Sequence, residues 1–277
     1  MPIPVGGARH GPFPGCLDRG RIAAYAAVTG DATPAVLRGE AIPAVFPVLL
    51  VLEAQAATHA DLPARAWQQA RGGLHGEHDI VLHRPLVPGE ILETWAQLSA
   101  VRTVRAGVQV VAHLEQLDAA GLIAVEQWWT MVLLGVTSLA DFGVPPADHR
   151  FPDSARGHPL GSQVHHIGEQ AARRYAEVSG DWADHHFHID AARASGADFV
   201  FTHGLFTMAA CAHRVQSLIG LTDPGRVSRV AVRFAAPTPL GADLVVETYA
   251  VETNSFAFEA TADGVRTISH GRLELRP

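Results

Sequence analysis

Tyr25-Ala-Ala-Val-Thr-Gly-Asp31 returns as Tyr175-Ala-Glu-Val-Ser-Gly-Asp181, and this recurrence at a spacing of 150 residues decides how the chain is to be read. Downstream, Pro85-Leu-Val-Pro-Gly-Glu-Ile-Leu92 is matched by Pro237-Thr-Pro-Leu-Gly-Ala-Asp-Leu244 at a spacing of 152. Two separate matches at nearly one offset imply two copies of a single unit.

Each copy carries the same order of predicted elements. In the second, Ala172, Tyr175 and Val178 lie at helical spacing within a short helix over Glu169–Val178, which Gly180 ends. The run GLFTMAACAHRVQSL, Gly204 to Leu218, is a helix too apolar for a surface position and is therefore central. Strands follow over 226–235, 242–252, 255–261 and 265–275; Val230, Val232 and Phe234 alternate with Arg229, Ala231 and Arg233, the period of a half-buried strand. The first copy predicts a helix near 21–29, an apolar helix from about Phe46 to Thr58, and strands near 77–84, 91–104, 107–117 and 122–135. Such an order gives an α+β fold, each half a long central helix wrapped by a curved antiparallel sheet, with the two sheets able to join edge to edge. The boundaries are 1–136, a Pro- and Gly-rich linker over 137–161, and 162–277.

The composition is that of a globular protein, 48% hydrophobic and 18% charged, and no apolar run reaches the length of a bilayer span. A net charge of −7 argues against nucleic acid as a partner, since phosphate binding needs a basic surface. The N-terminal MPIPVGGARHGPFPG has neither the basic start nor the apolar core of a secretory signal, so a cytoplasmic location is the expectation. Cys16 and Cys211 stand at no metal-ligand or redox spacing and read as free thiols.

The chemistry concentrates in the second copy, in Ser179-Gly-Asp-Trp-Ala-Asp-His-His-Phe-His-Ile-Asp-Ala-Ala-Arg-Ala-Ser-Gly196 and then Thr202-His-Gly-Leu-Phe-Thr-Met208. This stretch resembles the MaoC-like hydratase/dehydratase family, which includes the (R)-specific enoyl-CoA hydratases and whose motif runs Ser-Gly-Asp-x-Asn-Pro-(Leu/Ile)-His-x-Asp, with a later His-Gly. It aligns without a gap from Gly180 to Gly196. The first half looks like the degenerate N-terminal half of two-domain members, with Leu74-His-Gly-Glu-His78 and His83-Arg-Pro-Leu86 in familiar places. The resemblance implies a double hotdog fold and the addition of water to a 2-enoyl thioester, or its removal from an (R)-3-hydroxyacyl thioester. It further implies that Asp181 and His186 are the catalytic acid/base pair and that the Gly204 N–H, beside His203, binds the thioester oxygen. The substrate would ride on coenzyme A or on the phosphopantetheine of an acyl carrier protein, with no separate cofactor and no metal, and the assembly would be a homodimer without a membrane partner.

A carboxylate and a neutral imidazole can hold one water and move its proton, and free N–H groups at a helix start favour the charge developing on an enolate oxygen. Trp182, Phe187 and Phe206 are candidates for the wall of an acyl pocket, although aromatic residues beside a core helix commonly pack the core. Arg173, Arg174, Arg229 and Arg233 could reach phosphates, yet arginines on such faces are ordinarily solvated. His185, His186 and His188 offer a metal-site reading, and His203 a structural one as a helix-start residue bonding to the backbone. The family's Asn-Pro-Leu/Ile is replaced by Ala183, Asp184 and His185, and its later Asp by His188. That leaves an unusual substrate, a thioesterase of hotdog type and a non-catalytic acyl-thioester-binding subunit as alternatives.

The first copy is an internal control. Asp31 matches Asp181, but Val36 stands where His186 does, and Phe46-Pro47 replaces His203-Gly204, which removes the backbone donor. That half is expected to be non-catalytic.

Overall fold

The computed structural model describes residues 7–151 and 153–277. The first half runs β1 (His10–Cys16), α1 (Arg19–Thr29), α2 (Pro34–Leu37), α3 (Leu52–Ala57), α4 (Ala64–Gln69), β2 (Gly73–Leu82), β3 (Ile91–Val104), β4 (Gly107–Leu117) and β5 (Ile123–Leu134). After β6 (Phe142–Gly143), the second half runs β7 (Pro159–His166), α5 (Ala171–Ser179), α6 (Ile189–Ala194), β8 (Phe201–Thr202) and α7 (Gly204–Leu218). It closes with β9 (Val227–Phe234), β10 (Thr238–Pro239), β11 (Asp243–Glu252), β12 (Ser255–Ala262) and β13 (Val265–Leu275).

One antiparallel sheet carries both halves, in the order β1-β3-β4-β5-β2-β9-β13-β12-β11-β7, with β6 added on β3. The halves meet where β2 pairs with β9, His78 opposite Val232 and Ile80 opposite Val230. Charge reinforces this seam. Arg229 on β9 makes a paired contact with Asp79 on β2, at 3.0 and 2.6 Å, and Arg233 reaches Glu77 at 2.7 Å. These two arginines therefore tie the halves together and are not free for a substrate phosphate.

The central helix of the second half is α7, an unbroken 15 residues buried along most of its length, including Phe206, Met208 and Val215. Burying side chains of this size contributes roughly 1.5–3 kcal/mol each. The helix expected over 46–58 is divided instead. Phe46–Leu50 forms a 3-10 turn, α3 adds six residues, and Thr58–Asp61 closes in a second 3-10 turn. Prolines explain the difference: Pro43 and Pro47 bracket the start and Pro63 constrains Leu62, whereas 204–218 contains no proline. A long central helix in each half is thus corrected to one in the second half alone.

The stretch 137–161 is not simply extended chain. It supplies β6, a 3-10 turn over Asp153–Gly157 and the first residues of β7. Phe151 and Ala155 pack there with Tyr249 and Ala257 of the second half's sheet. Cys16 and Cys211 are both free, the first exposed and the second buried. No helix among the described residues is long and apolar enough to cross a membrane.

Candidate active site

α5 stops at Gly180, whose φ of 85° lies in the left-handed region that glycine adopts without strain. The chain then turns so that the Asp181 carboxylate accepts the Ala183 N–H at 3.2 Å, while the Asp181 N–H is held by the Ser179 hydroxyl at 3.1 Å. Arg21 of α1 braces this end from the other half, donating to the carbonyls of Val178 and Ser179 at 2.9 and 3.1 Å.

A short 3-10 turn, Asp184–His186, then carries the imidazole inward, where it is 5% exposed. His186 Nδ1 lies 3.0 Å from the carbonyl oxygen of Phe201. A carbonyl only accepts, so Nδ1 holds the proton and Nε2 keeps a lone pair. Burial, with the neighbouring His203 and His185 adding to it, pushes the His186 pKa down to about 2. The ring is therefore neutral across the physiological range.

His203 joins these two residues. Its Nε2 donates to the backbone carbonyl of Asp181 at 2.9 Å and sits 4.0 Å from that residue's carboxylate. Its ring lies over His186 with centroids 3.7 Å apart. His203 precedes α7, at whose first residue, Gly204, no described hydrogen bond uses the backbone N–H. A Cβ at Gly204 would come within 3.1 Å of the Phe234 ring, so the glycine allows both that packing and a close approach to the backbone.

Asp181, His186, His203 and Gly204 line one cavity of about 750 Å³. Trp182 joins them at its wall, half exposed and 5.5 Å from Phe187. Two expectations are corrected here. Phe187 and Phe206 are not among the lining residues, and Phe206 is buried edge-on against Tyr175, because inward positions of α7 belong to the core. The wall comes from residues that were not singled out as pocket candidates, including Phe201, Phe234 and Thr202. The Thr202 hydroxyl is buried with no partner among the described residues. The alternation of Val232 and Phe234 with Ala231 and Arg233 marks a strand face, but no local pattern says what lies opposite it.

The first half supplies much of the remainder, with Leu52, Gln55, His59, Leu74, His75, Trp129 and Met131. One donor atom from each of Asp181, His186 and His203 lies within 4.8 Å of the others, a spacing able to take a cation. The histidine trio offered by the sequence, His185, His186 and His188, is not that group, and His188 is exposed. Arg173 is exposed and near Glu177 at 3.7 Å, and Arg174 is exposed on the same helix.

The corresponding place in the first half is closed. Val36, Phe46 and Pro47 are buried, and the Asp31 carboxylate faces His213 of α7 at 3.3 Å. A small cavity of about 180 Å³ between Ile42, Leu82 and Val227 is bordered by Arg276, which donates to the carbonyls of Gly225, Val227 and Leu82.

Residues 151–270 match the family model described as the MaoC like domain. A 3-hydroxyacyl-thioester dehydratase X of Mycobacterium tuberculosis is 29% identical over 228 residues, 82% of this chain and 74% of that protein. Among solved structures, a MaoC-like dehydratase from Phytophthora capsici superposes with a TM-score of 0.82 at 18% identity, over 98% of this chain and 96% of that one. A conserved Mycobacterium tuberculosis protein described as having a double hotdog fold gives 0.62 at 15% identity, over 99% and 96%. Residues 151–270 are thus similar to the MaoC like domain, and they sit in a chain whose fold is that of the double hotdog proteins.

Proposed function

We propose that this hydro-lyase reversibly hydrates a 2-enoyl thioester to the (R)-3-hydroxyacyl thioester, with Asp181 and His186 as the acid/base pair and the Gly204 N–H as the oxyanion contact. The observation that carries the reading is the convergence of an Asp181 carboxylate and a neutral imidazole with a free Nε2 on one cavity, at the N-terminus of a 15-residue helix. In hydration, water is held between the pair and its oxygen adds to the β-carbon. One proton stays on the new hydroxyl, the other passes to the pair, and the proton that ends on the α-carbon leaves the pair, which is restored after each turnover. Negative charge gathers meanwhile on the thioester oxygen, where a helix-start N–H and the helix dipole favour it.

His203 acts as a brace in this scheme, holding the Asp181 backbone while its ring lies over His186. Residues 162–277 form the catalytic half, 1–136 a half that supplies sheet and cavity wall, and 137–161 the connection. The substrate is carried on coenzyme A or an acyl carrier protein, no further cofactor is required, and the working assembly is a homodimer in the cytoplasm. β7 supports that assembly, being a terminal strand of the sheet with Leu160 and Val164 exposed.

The test is an absorbance assay on short, medium and long enoyl-CoAs. Asp181→Asn and His186→Ala are each expected to lower kcat about 10²–10⁴-fold with circular dichroism unchanged. Full activity in both variants refutes the assignment. Release of free thiol in step with the fall in absorbance replaces it with thioester hydrolysis, since hydration leaves the thioester intact, and loss of activity on treatment with a chelator replaces the acid/base pair with a metal centre.

A further inference from the structure

A chain of buried hydrogen bonds runs beneath the cavity wall of the first half. Gln116 Nε2 reaches the Pro47 carbonyl at 3.3 Å, Gln127 Nε2 reaches Gln116 Oε1 at 2.8 Å, and His78 Nε2 meets Gln127 Oε1 at 3.0 Å. His78 Nδ1 then meets His75 Nε2 at 3.2 Å. Gln116, Gln127 and His78 are wholly buried, so this row of polar groups is tolerable only because its members satisfy one another.

The far end fixes the direction of every bond. The Pro47 carbonyl can only accept, so the Gln116 amide nitrogen faces it and Gln116 Oε1 is left to accept from Gln127. Gln127 Oε1 in turn accepts the Nε2–H of His78. That leaves a lone pair on His78 Nδ1, which takes the Nε2–H of His75. His75 therefore has a bare Nδ1, an acceptor that no described side-chain hydrogen bond uses, its one N–H being shared between His78 and the Glu77 backbone carbonyl. Burial also holds His75 well below its ordinary pKa and keeps it neutral.

His75 lines the cavity, flat against Trp129 with centroids 4.0 Å apart and 4.8 Å from Phe234. Phe234 in turn lies against Gly204, which brings this acceptor close to the reacting end of the cavity. On the same wall Gln55 Nε2 donates to His59 Nε2 at 3.0 Å, so the first half does not present a purely apolar surface. A plain alkyl chain that filled the space and displaced water would strand the imidazole lone pair between two aromatic rings.

We infer that His75 Nδ1 accepts a hydrogen bond from a hydroxyl group on the acyl chain, so that the preferred substrates are 2-enoyl thioesters carrying a second oxygen function beyond the 3-position. This assignment rests on the hydratase reading and deepens it. Pro47, which abolished the donor of the first half's own site, has become the anchor of a relay that shapes the cavity of the second.

The experiment compares enoyl-CoAs of one chain length, one plain and the others each bearing a single hydroxyl at successive carbons beyond the 3-position, on wild type and His75→Phe. Wild type is expected to favour at least one hydroxylated isomer by about tenfold or more in kcat/KM, a site built around a hydrogen bond discriminating strongly against a ligand that lacks it. His75→Phe keeps a ring against Trp129 and is expected to bring that ratio to about one. Turnover of plain enoyl-CoA with no hydroxylated isomer preferred overturns this inference alone, and does so without any variant. A preference that survives His75→Phe also overturns it. Equal losses on plain and hydroxylated substrates, reproduced by shortening the pantetheine arm, would assign the acceptor to the carrier amide and reject the acyl hydroxyl. No hydration of any thioester removes the hydratase reading together with this one.

Discussion

Asp31 and Asp181 sit at the same place in the two copies of the repeat, each just after a helix ended by a left-handed glycine, and they have opposite fates. Asp181 keeps a carboxylate 30% exposed toward a cavity, beside a neutral imidazole and a helix start. Asp31 is buried, accepts the Thr33 N–H at 2.9 Å and faces His213, whose Nε2 meets the Thr29 hydroxyl at 3.1 Å. An aspartate in this motif is therefore not sufficient for chemistry. In the proposed mechanism it acts together with the imidazole five residues on, an uncapped helix N–H and an open space, and the first half offers none of these three at Asp31.

The comparison is broken most severely by the Asp181→Asn and His186→Ala substitutions already described. The next largest effect is on stability. His78 is held to about 4, His186 to about 2 and His75 well below its ordinary value, chiefly by burial, while the same residues in the unfolded chain titrate near 6.5. Stability from these neutral rings is complete above pH ~6.5. As the pH falls below that, the unfolded chain takes up protons that the folded one refuses, so each ring costs up to about 1.4 kcal/mol per pH unit until its folded pKa is reached. The melting temperature should fall steeply from pH ~7 to ~5, and a flat profile in calorimetry would contradict the burial of these rings in neutral form.

Asp31→Asn sharpens the contrast between the copies. It should leave kcat essentially intact and cost about 1–3 kcal/mol of stability in denaturant titration, the reverse of Asp181→Asn. A thousandfold loss of kcat in Asp31→Asn would make the first half a participant in the chemistry. The smallest effect belongs to Arg21, which crosses from one copy to brace the other. Arg21→Ala should lower kcat less than about tenfold with KM unchanged, and Arg21→Lys should recover part of it, because one point charge can satisfy one of the two carbonyls. An effect confined to KM would place Arg21 in substrate binding.

Regular elements of the second half were legible because periodicity and composition agreed there. The helix expected over 204–218 is Gly204–Leu218, and the strands expected over 242–252 and 265–275 are Asp243–Glu252 and Val265–Leu275. The outer strand of each half escaped. β1, HGPFPGC, reads as a loop by its prolines and glycines, and β7 lies partly in the stretch taken as linker. Their starts at His10 and Pro159 fall close to the repeat offset, and at a sheet edge a missing N–H costs no ladder bond. The acyl wall was misread for a related reason: Phe206 and Phe234 are both aromatic and near Gly204 in different senses, one along the chain and one across space.

By itself the sequence determined the duplication, the asymmetry between the copies and the candidates Asp181, His186 and Gly204, because all of these are local patterns or comparisons of one local pattern with another. Tertiary structure alone decided that His203 brings Asp181 and His186 together, that Asp31 is buried against α7, and that His75 and Trp129 of the first half wall the cavity of the second. Those facts depend on how β2 meets β9 and how α7 lies over the sheet, contacts between residues far apart in the chain that no spacing along it encodes.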